Sequence, residues 1–340
     1  MRFKSFLPEN SSGGPHLNVV MPPRKFDGFR AFNDVEEFEQ YAKKLVDAIA
    51  GASTRKRGSL ATYFRKVGHI WNDTPESEIV EGDEHLNSSE PYLLLFPETP
   101  FHLRYFPTRV ETRALAKRLS KHLAAKLPLA SIAFSLNEKS FAKLKKGEKS
   151  RPVHANSGYI IGSKGYSKFF KQNDAQYDRR TARRIGEQPT ALGDGINHEV
   201  EYEWSGNPDW PHDGLGERVW KGRAQRQRKS GMLFPTTKFS SGHNVEHRVC
   251  LDGIEVAGKG TDERENRKKM IAAVSGNGIH PTSLKYLRDE RQAVVLNDGS
   301  AVGRQAAFGG DVFYLENLES AAAGLDKHLA EKKLKIHLVG

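Results

Sequence analysis

The chain has 340 residues, 37% of them hydrophobic, and a formal net charge of +11 at pH 7. This composition is typical of a soluble globular protein with room for two domains. The single cysteine, Cys250, excludes both an internal disulfide framework and a zinc site built from cysteines. No apolar run approaches the roughly 18 residues that cross a bilayer, and the N-terminus lacks the apolar centre of a signal peptide. We therefore expect no membrane partner, and a location in the cytoplasm or inside a virion.

The first third of the chain combines an irregular start with regular elements. Residues 1–24 contain Pro, Gly and Ser without periodicity and are predicted to be a flexible arm. Beyond them, apolar residues recur at intervals of three and four or form short continuous runs, which predicts helices and strands respectively. The predicted elements are a helix over 34–50 capped by Asn33 or Asp34, a strand over 92–96, a helix over 108–127 and a strand over 129–136. Together they predict an N-terminal α+β domain over residues 25–136.

Positive charge is concentrated in residues 101–190, where 20 Lys and Arg stand against 6 Asp and Glu, while the rest of the chain sums to −3. Such a field favours a polyanionic partner, with nucleic acid as the first candidate. Its densest part, residues 137–190, has no apolar periodicity and is predicted to be an irregular basic arm. We expect cations of this segment to bind phosphates and its aromatic rings to stack on bases. The predicted phosphate-binding residues are Lys143, Lys145, Lys146, Lys149, Arg151, Lys164, Lys168, Lys171, Arg179, Arg180, Arg183 and Arg184, and the predicted stacking residues are Tyr159, Tyr166 and Phe169.

An acidic cluster lies just beyond the basic arm. His198, Glu199, Glu201 and Asp209 are residue types that hold divalent cations, but their spacing is not diagnostic of a metal site. A strand with a charged solvent face explains them without a metal. We therefore predict no metal and no cofactor.

A small module is predicted over residues 191–278. Its elements are a helix over 215–229, strands over 232–240, 245–251 and 254–260, and a helix over 263–274. Cys250 falls inside the second of these strands and is expected to be buried and unreactive. This αβββα order, with Ser241-Gly242-His243 before the second strand, resembles the double-stranded-RNA-binding domain.

The resemblance implies a duplex-RNA surface. By position, His243 would contact the minor groove, and Arg267, Lys268 and Lys269 would bridge phosphates. Asp262 and Glu263 depart from the family pattern, because they place two acids where phosphate should approach. A module that keeps this fold and contacts protein instead therefore stays open.

The C-terminal 279–340 segment is predicted to be a second αβ unit. Its elements are strands over 292–296 and 300–307 around the turn Asn297-Asp298-Gly299, a strand over 312–315, a helix over 318–332 and a strand over 334–339.

These patterns lead to one fold class and three functions. We expect an α+β protein in which two αβ units flank a basic irregular segment, with the small αβββα module between them. The preferred function is non-enzymatic binding of RNA or DNA through the basic segment. One alternative is a structural subunit of a virion or ribonucleoprotein assembly, which would contact itself or other proteins. A metal-dependent nuclease is the third, so an enzyme is the less favoured class.

Overall fold

The computed structural model describes residues 4–6, 14–22, 32–52, 88–98, 100, 107–142, 151–170, 234–249, 269–276, 292–299, 303–315 and 323–339. Within these ranges the chain forms two β-sheets and three helices. The sheets pack face to face, and two of the helices cover the outer face of the larger sheet.

The larger sheet has seven strands in the order β1, β13, β2, β3, β4, β5, β6. Their bounds are Lys4–Phe6 (β1), Leu17–Met21 (β2), Tyr92–Glu98 (β3), Ala130–Ala142 (β4), Arg151–Gly162 (β5), Gly165–Phe170 (β6) and Leu334–Leu338 (β13). The central strands β13, β2, β3 and β4 run parallel. The pairs β1/β13, β4/β5 and β5/β6 are antiparallel.

The smaller sheet has six strands in the order β12, β11, β10, β9, β8, β7. Their bounds are Thr236–Lys238 (β7), Asn244–Val249 (β8), Met270–Gly276 (β9), Ala293–Asp298 (β10), Arg304–Phe308 (β11) and Asp311–Tyr314 (β12). Its central strands β8, β9 and β10 are parallel. The pairs β7/β8, β10/β11 and β11/β12 are antiparallel.

Helices α1 (Val35–Ala52) and α2 (Arg109–Lys126) pack on the outer face of the larger sheet, and α3 (Ala323–Lys332) leads into β13. Thr108 and Glu111 form a capping box that satisfies backbone N–H groups at the start of α2. Each of the two covering helices buries an apolar stripe, which supplies most of its stability because isolated helices of this length are marginal in water.

Alternating side chains of the central strands enter two separate cores. In β3, Leu94 faces the helices, whereas Leu93 and Leu95 face the smaller sheet. Strands covered on both faces are continuously apolar, because neither face meets water. The run at residues 92–96 has this origin.

Several predicted elements are confirmed, although their assembly is not. Both predicted N-terminal helices exist as α1 and α2, with Asp34 accepting a hydrogen bond from the N–H of Glu37 at the first helix start. The predicted strands at 92–96 and 129–136 appear within β3 and β4, and the C-terminal hairpin appears as β10 and β11.

The predicted fold class is wrong. The predicted units at the two ends of the chain share one sheet, since β13 lies between β1 and β2, and the segment taken as an irregular basic arm supplies β5, β6 and the end of β4. Residues 1–24, predicted to be a flexible arm, contain β1 and the central strand β2. The helix predicted over 263–274 is also wrong, because Met270–Gly276 is a strand parallel to β8. Local periodicity does not specify which strands pair, so the sequence pattern did not predict these strand pairings.

Candidate active site

The carboxyl ends of the parallel strands in both sheets meet at one place. The hydroxyl of Ser275, near the end of β9, donates a hydrogen bond of 2.7 Å to the carbonyl oxygen of Phe96 in β3. Nδ2 of Asn297, near the end of β10, donates to the carbonyl oxygens of Leu95 at 2.6 Å and Pro22 at 3.1 Å. Carboxyl ends of parallel strands are where open α/β sheets place their ligands. This edge is therefore the candidate active site.

A β-bulge aims Glu98 into the gap between the sheets. Leu95 pairs with Ala133 of β4, but the next pair joins Glu98 to Ser135, so three steps along β3 match two along β4. Simple alternation from Leu95 would turn Glu98 toward the helices. The extra residue returns it to the face shared by Leu95, Ala133 and Ser135. Bulges of this kind re-aim side chains and are enriched beside active sites.

The row of residues beside Glu98 on this face mixes polar and aromatic groups. Glu98 is buried, with 5% of its surface exposed, and Ser135 is its neighbour in β4. Within the described ranges, Ser135 Oγ has no hydrogen-bond partner. Ser135 is followed across the sheet by Gly158 of β5 and then Phe169 of β6. A Cβ on Gly158 would lie 2.1 Å from Cζ of Phe169, so only glycine lets this ring lie against the sheet.

His247 connects this row to the smaller sheet. Its ring meets that of Phe169 edge to face, with centroids 5.2 Å apart. Its Nε2 lies 3.0 Å from Ser275 Oγ. Because the serine proton is donated to Phe96, the histidine donates through Nε2–H, and within the described ranges its Nδ1 has no partner. Complete burial lowers the pKa of His247 to about 3, so the ring is neutral at ordinary pH.

The only thiol of the chain follows this arrangement directly. β8 ends at Val249, which pairs with Ser275, and Cys250 is the next residue. Cys250 itself lies outside the described residues. The prediction that it is buried and unreactive therefore stays a prediction. A thiol and a carboxylate are residue types that nucleophilic catalysis uses.

Glu98 was missed by sequence reasoning. A carboxylate placed directly after a buried apolar strand was a usable signal, because loops at strand ends carry chemistry on rigid supports. The bulge that turns Glu98 inward has no comparable local signal, since it depends on the pairing with β4.

A second buried glutamate lies on the opposite face of the same sheet. Glu138 accepts hydrogen bonds from Thr112 of α2 at 2.7 Å and from the hydroxyl of Tyr159 at 3.3 Å, and it forms an ion pair with Lys168. Burial raises the pKa of Tyr159 to about 12, which keeps this phenol a donor. Two predicted nucleic-acid contacts, Lys168 and Tyr159, are thus committed to a structural network.

The remaining predicted site residues within the described ranges are dispersed. His243 is buried, with Nδ1 2.8 Å from Ser241 Oγ and Nε2 2.7 Å from the carbonyl oxygen of Lys332, and burial lowers its pKa. Tyr166 packs partly buried against the helix-side core, and Phe169 is buried at the candidate site. Lys164 is exposed on the β5–β6 turn, and Lys269 is exposed just before β9.

Other predicted residues cannot be placed in the same way. The backbone of Arg151 begins β5. The residues outside the described ranges are Lys143, Lys145, Lys146, Lys149, Lys171, Arg179, Arg180, Arg183, Arg184, Arg267 and Lys268, together with the acidic cluster His198, Glu199, Glu201 and Asp209. Among the described side chains, no group of three or more His, Cys, Asp or Glu is placed to hold a metal ion. None of the described helices is both long and apolar enough to cross a membrane.

Comparison with known proteins identifies similar solved structures but no sequence family. No family model matches the chain, and no curated protein matches it by sequence. A double mutant of the amidase from Nesterenkonia sp. AN1, in complex with acrylamide, matches 95% of this chain and 98% of its own at 10% identity and a TM-score of 0.39. A carbon–nitrogen hydrolase from Helicobacter pylori G27 matches 87% of this chain and 83% of its own at 10% identity and a TM-score of 0.38.

These findings correct the functional prediction. The prediction of a non-enzymatic nucleic-acid-binding protein or virion component is wrong: the similar structures are an amidase and a carbon–nitrogen hydrolase, and part of the charged segment forms strands of the larger sheet. Positive charge in sequence was a poor guide, because part of it neutralises a buried carboxylate, as Lys168 does for Glu138.

Proposed function

We propose that this protein hydrolyses carbon–nitrogen bonds of amides, with Cys250 as the nucleophile and Glu98 as the general base. The observation that carries the proposal is the bulge that turns Glu98 into the gap between the sheets, at the strand ends where the only thiol follows β8. A carboxylate within reach of a thiol can remove its proton, and the thiolate is the nucleophilic form.

The proposed reaction has two half-reactions. Glu98 takes the thiol proton while sulfur bonds to the amide carbonyl carbon. The carbon–nitrogen bond then breaks, and the amine leaves with the proton held by Glu98, so that a thioester remains on Cys250. In the second half-reaction, Glu98 takes a proton from water as its oxygen attacks the thioester, and the acid is released as the thiol regains that proton.

We assign Lys171 to stabilisation of the negative oxygen that develops in both half-reactions. Lys171 is the first residue after β6 and stands two positions beyond Phe169, which lies at the candidate site. A cation directed at a developing oxyanion typically contributes more than any other single group. Replacing Lys171 with Met is expected to slow turnover by about 10²-fold.

The proposal is tested first on the thiol and then on turnover. Acrylamide, which the matched amidase binds, adds covalently to a reactive thiol, and the mass of the intact protein reports adducts on the single cysteine. We expect Glu98→Gln to slow this addition by about 10²-fold or more, because the base is lost while the shape is kept. Ammonia release from a panel of primary amides should fall in parallel, and Cys250→Ser should abolish both.

Glu138→Gln is the matched control, since Glu138 is a buried glutamate on the other face of the same sheet. At a temperature well below unfolding, this variant should form the acrylamide adduct within about threefold of the parent rate, because Glu138 lies outside the proposed machinery. Equal adduct rates in the parent and in Glu98→Gln would refute the proposed function.

A further inference from the structure

Two consecutive hydrogen bonds connect β8 to β3 through the fully buried side chains of His247 and Ser275. His247 donates to Ser275 at 3.0 Å, and Ser275 donates to the carbonyl oxygen of Phe96 at 2.7 Å. His247 lies two residues before the end of β8, and Phe96 lies two residues before Glu98. The two hydrogen bonds therefore join β8, the strand that leads to the thiol, to β3, the strand that carries the carboxylate.

The His247–Ser275–Phe96 hydrogen bonds differ in location from the other polar contacts between the sheets. Asn297 and Arg304 also donate from the smaller sheet to carbonyl oxygens of the larger one, but they do so from β10 and β11. The strand order places β11 three positions from β8. Arg304 reaches Met21 and Val339, whereas Ser275 reaches β3, the strand that carries Glu98.

Phe169 adds a second contact to His247. Its ring lies over Gly158, in the row that begins with Glu98 and Ser135, and meets His247 edge to face. His247 is thus fixed by Ser275 on one side and by Phe169 on the other. A neutral imidazole suits this place, because full burial disfavours a charged ring.

We propose that His247 and Ser275 are positioning residues that set the distance between the end of β8 and Glu98. The inference rests on the proposed function and adds the groups that align the base with the nucleophile. Their effect passes through Phe96 and the bulge, where a displacement of about 1 Å can cost on the order of 10²-fold in rate.

The experiment measures acrylamide addition to Cys250 in the full chain. Ser275→Ala removes both hydrogen bonds, whereas His247→Phe removes the bond to Ser275 and keeps an aromatic ring against Phe169. We expect both to slow addition by about tenfold or more. Ser275→Thr keeps the hydroxyl and is expected to stay within about threefold of the parent. Arg304→Met is the matched control, since it breaks buried side chain to carbonyl bonds remote from β8, and it should not slow addition at a temperature where it is folded.

A double-mutant cycle distinguishes positioning from simple support of the fold. Glu98→Gln should slow addition much less in the Ser275→Ala background than in the parent. A misplaced base already contributes less to the rate, so its removal costs less. If Ser275→Ala and His247→Phe lower the unfolding temperature but leave both the rate and the Glu98 effect unchanged, the positioning role is rejected while the proposed function stands. If Glu98→Gln has no effect in the parent, the proposed function fails and this inference fails with it.

Discussion

The two faces of the seven-stranded sheet each bury a glutamate, and they hold it in different ways. Glu138 lies within β4 under α2, where a lysine, a threonine and a tyrosine all contact its carboxylate. Glu98 lies at the end of β3, turned by a bulge toward the second sheet and beside a serine whose hydroxyl has no partner in the described part of the chain. A fully satisfied buried network stabilises a unique structure. A carboxylate re-aimed at a strand end is the arrangement expected of a reactive group.

The largest effect in this comparison should come from the ion pair on the helix-covered face. Lys168→Met would leave the Glu138 carboxylate buried without its cation, and breaking such a pair on one side costs about 3–5 kcal/mol. Urea unfolding should report this loss. Lys164→Met is the control, because Lys164 is exposed four residues earlier, and its effect should stay within about 0.5 kcal/mol. Similar losses in both variants would mean that the pair has no special weight.

The inter-sheet face should respond to acid through His247. Burial lowers the pKa of His247 to about 3, whereas the unfolded chain has the ordinary value of 6.5, so the unfolded state binds more protons between these values. The free energy of unfolding should therefore fall as the pH drops through this window, by about 1.4 kcal/mol per pH unit.

Unfolding measured at pH 6.5, 5.5 and 4.5 tests this contribution. The parent should lose about 2.5 kcal/mol more than His247→Phe over this range. Burial also lowers the pKa values of His16 and His243, so the variant keeps some acid sensitivity. Parallel pH profiles for parent and variant would contradict a neutral, buried His247.

The smallest effect concerns the contact between Gly158 and the Phe169 ring at the candidate site. Gly158→Ala would bring a methyl group to 2.1 Å from the Phe169 ring, which must move, and overpacking of this kind costs about 2 kcal/mol. Gly310→Ala is the control, because an added Cβ there meets nothing within 4 Å. Thermal unfolding compares the two variants, and an equal, small change in both would show that Phe169 yields easily.

The sequence by itself determined the elements whose information is local. Heptad-like apolar spacing specified α1 and α2, the apolar run specified β3, and the alternation after His243 specified β8. These signals survive because helix and strand periodicity follow from backbone geometry alone. The sequence also showed that Cys250 is the only cysteine, although the pattern around it predicted a buried and unreactive thiol.

The tertiary structure decided which of these residues act together. Pairing of β5 and β6 with β4 made part of a basic segment into sheet, and the parallel pairing of β8 with β9 brought Ser275 beside the strand that precedes Cys250. The direction of Glu98 depends on one extra residue in the register between β3 and β4. Register is set by contacts between segments distant in sequence, so a one-residue shift that exchanges the two faces of a strand leaves no mark on the local pattern.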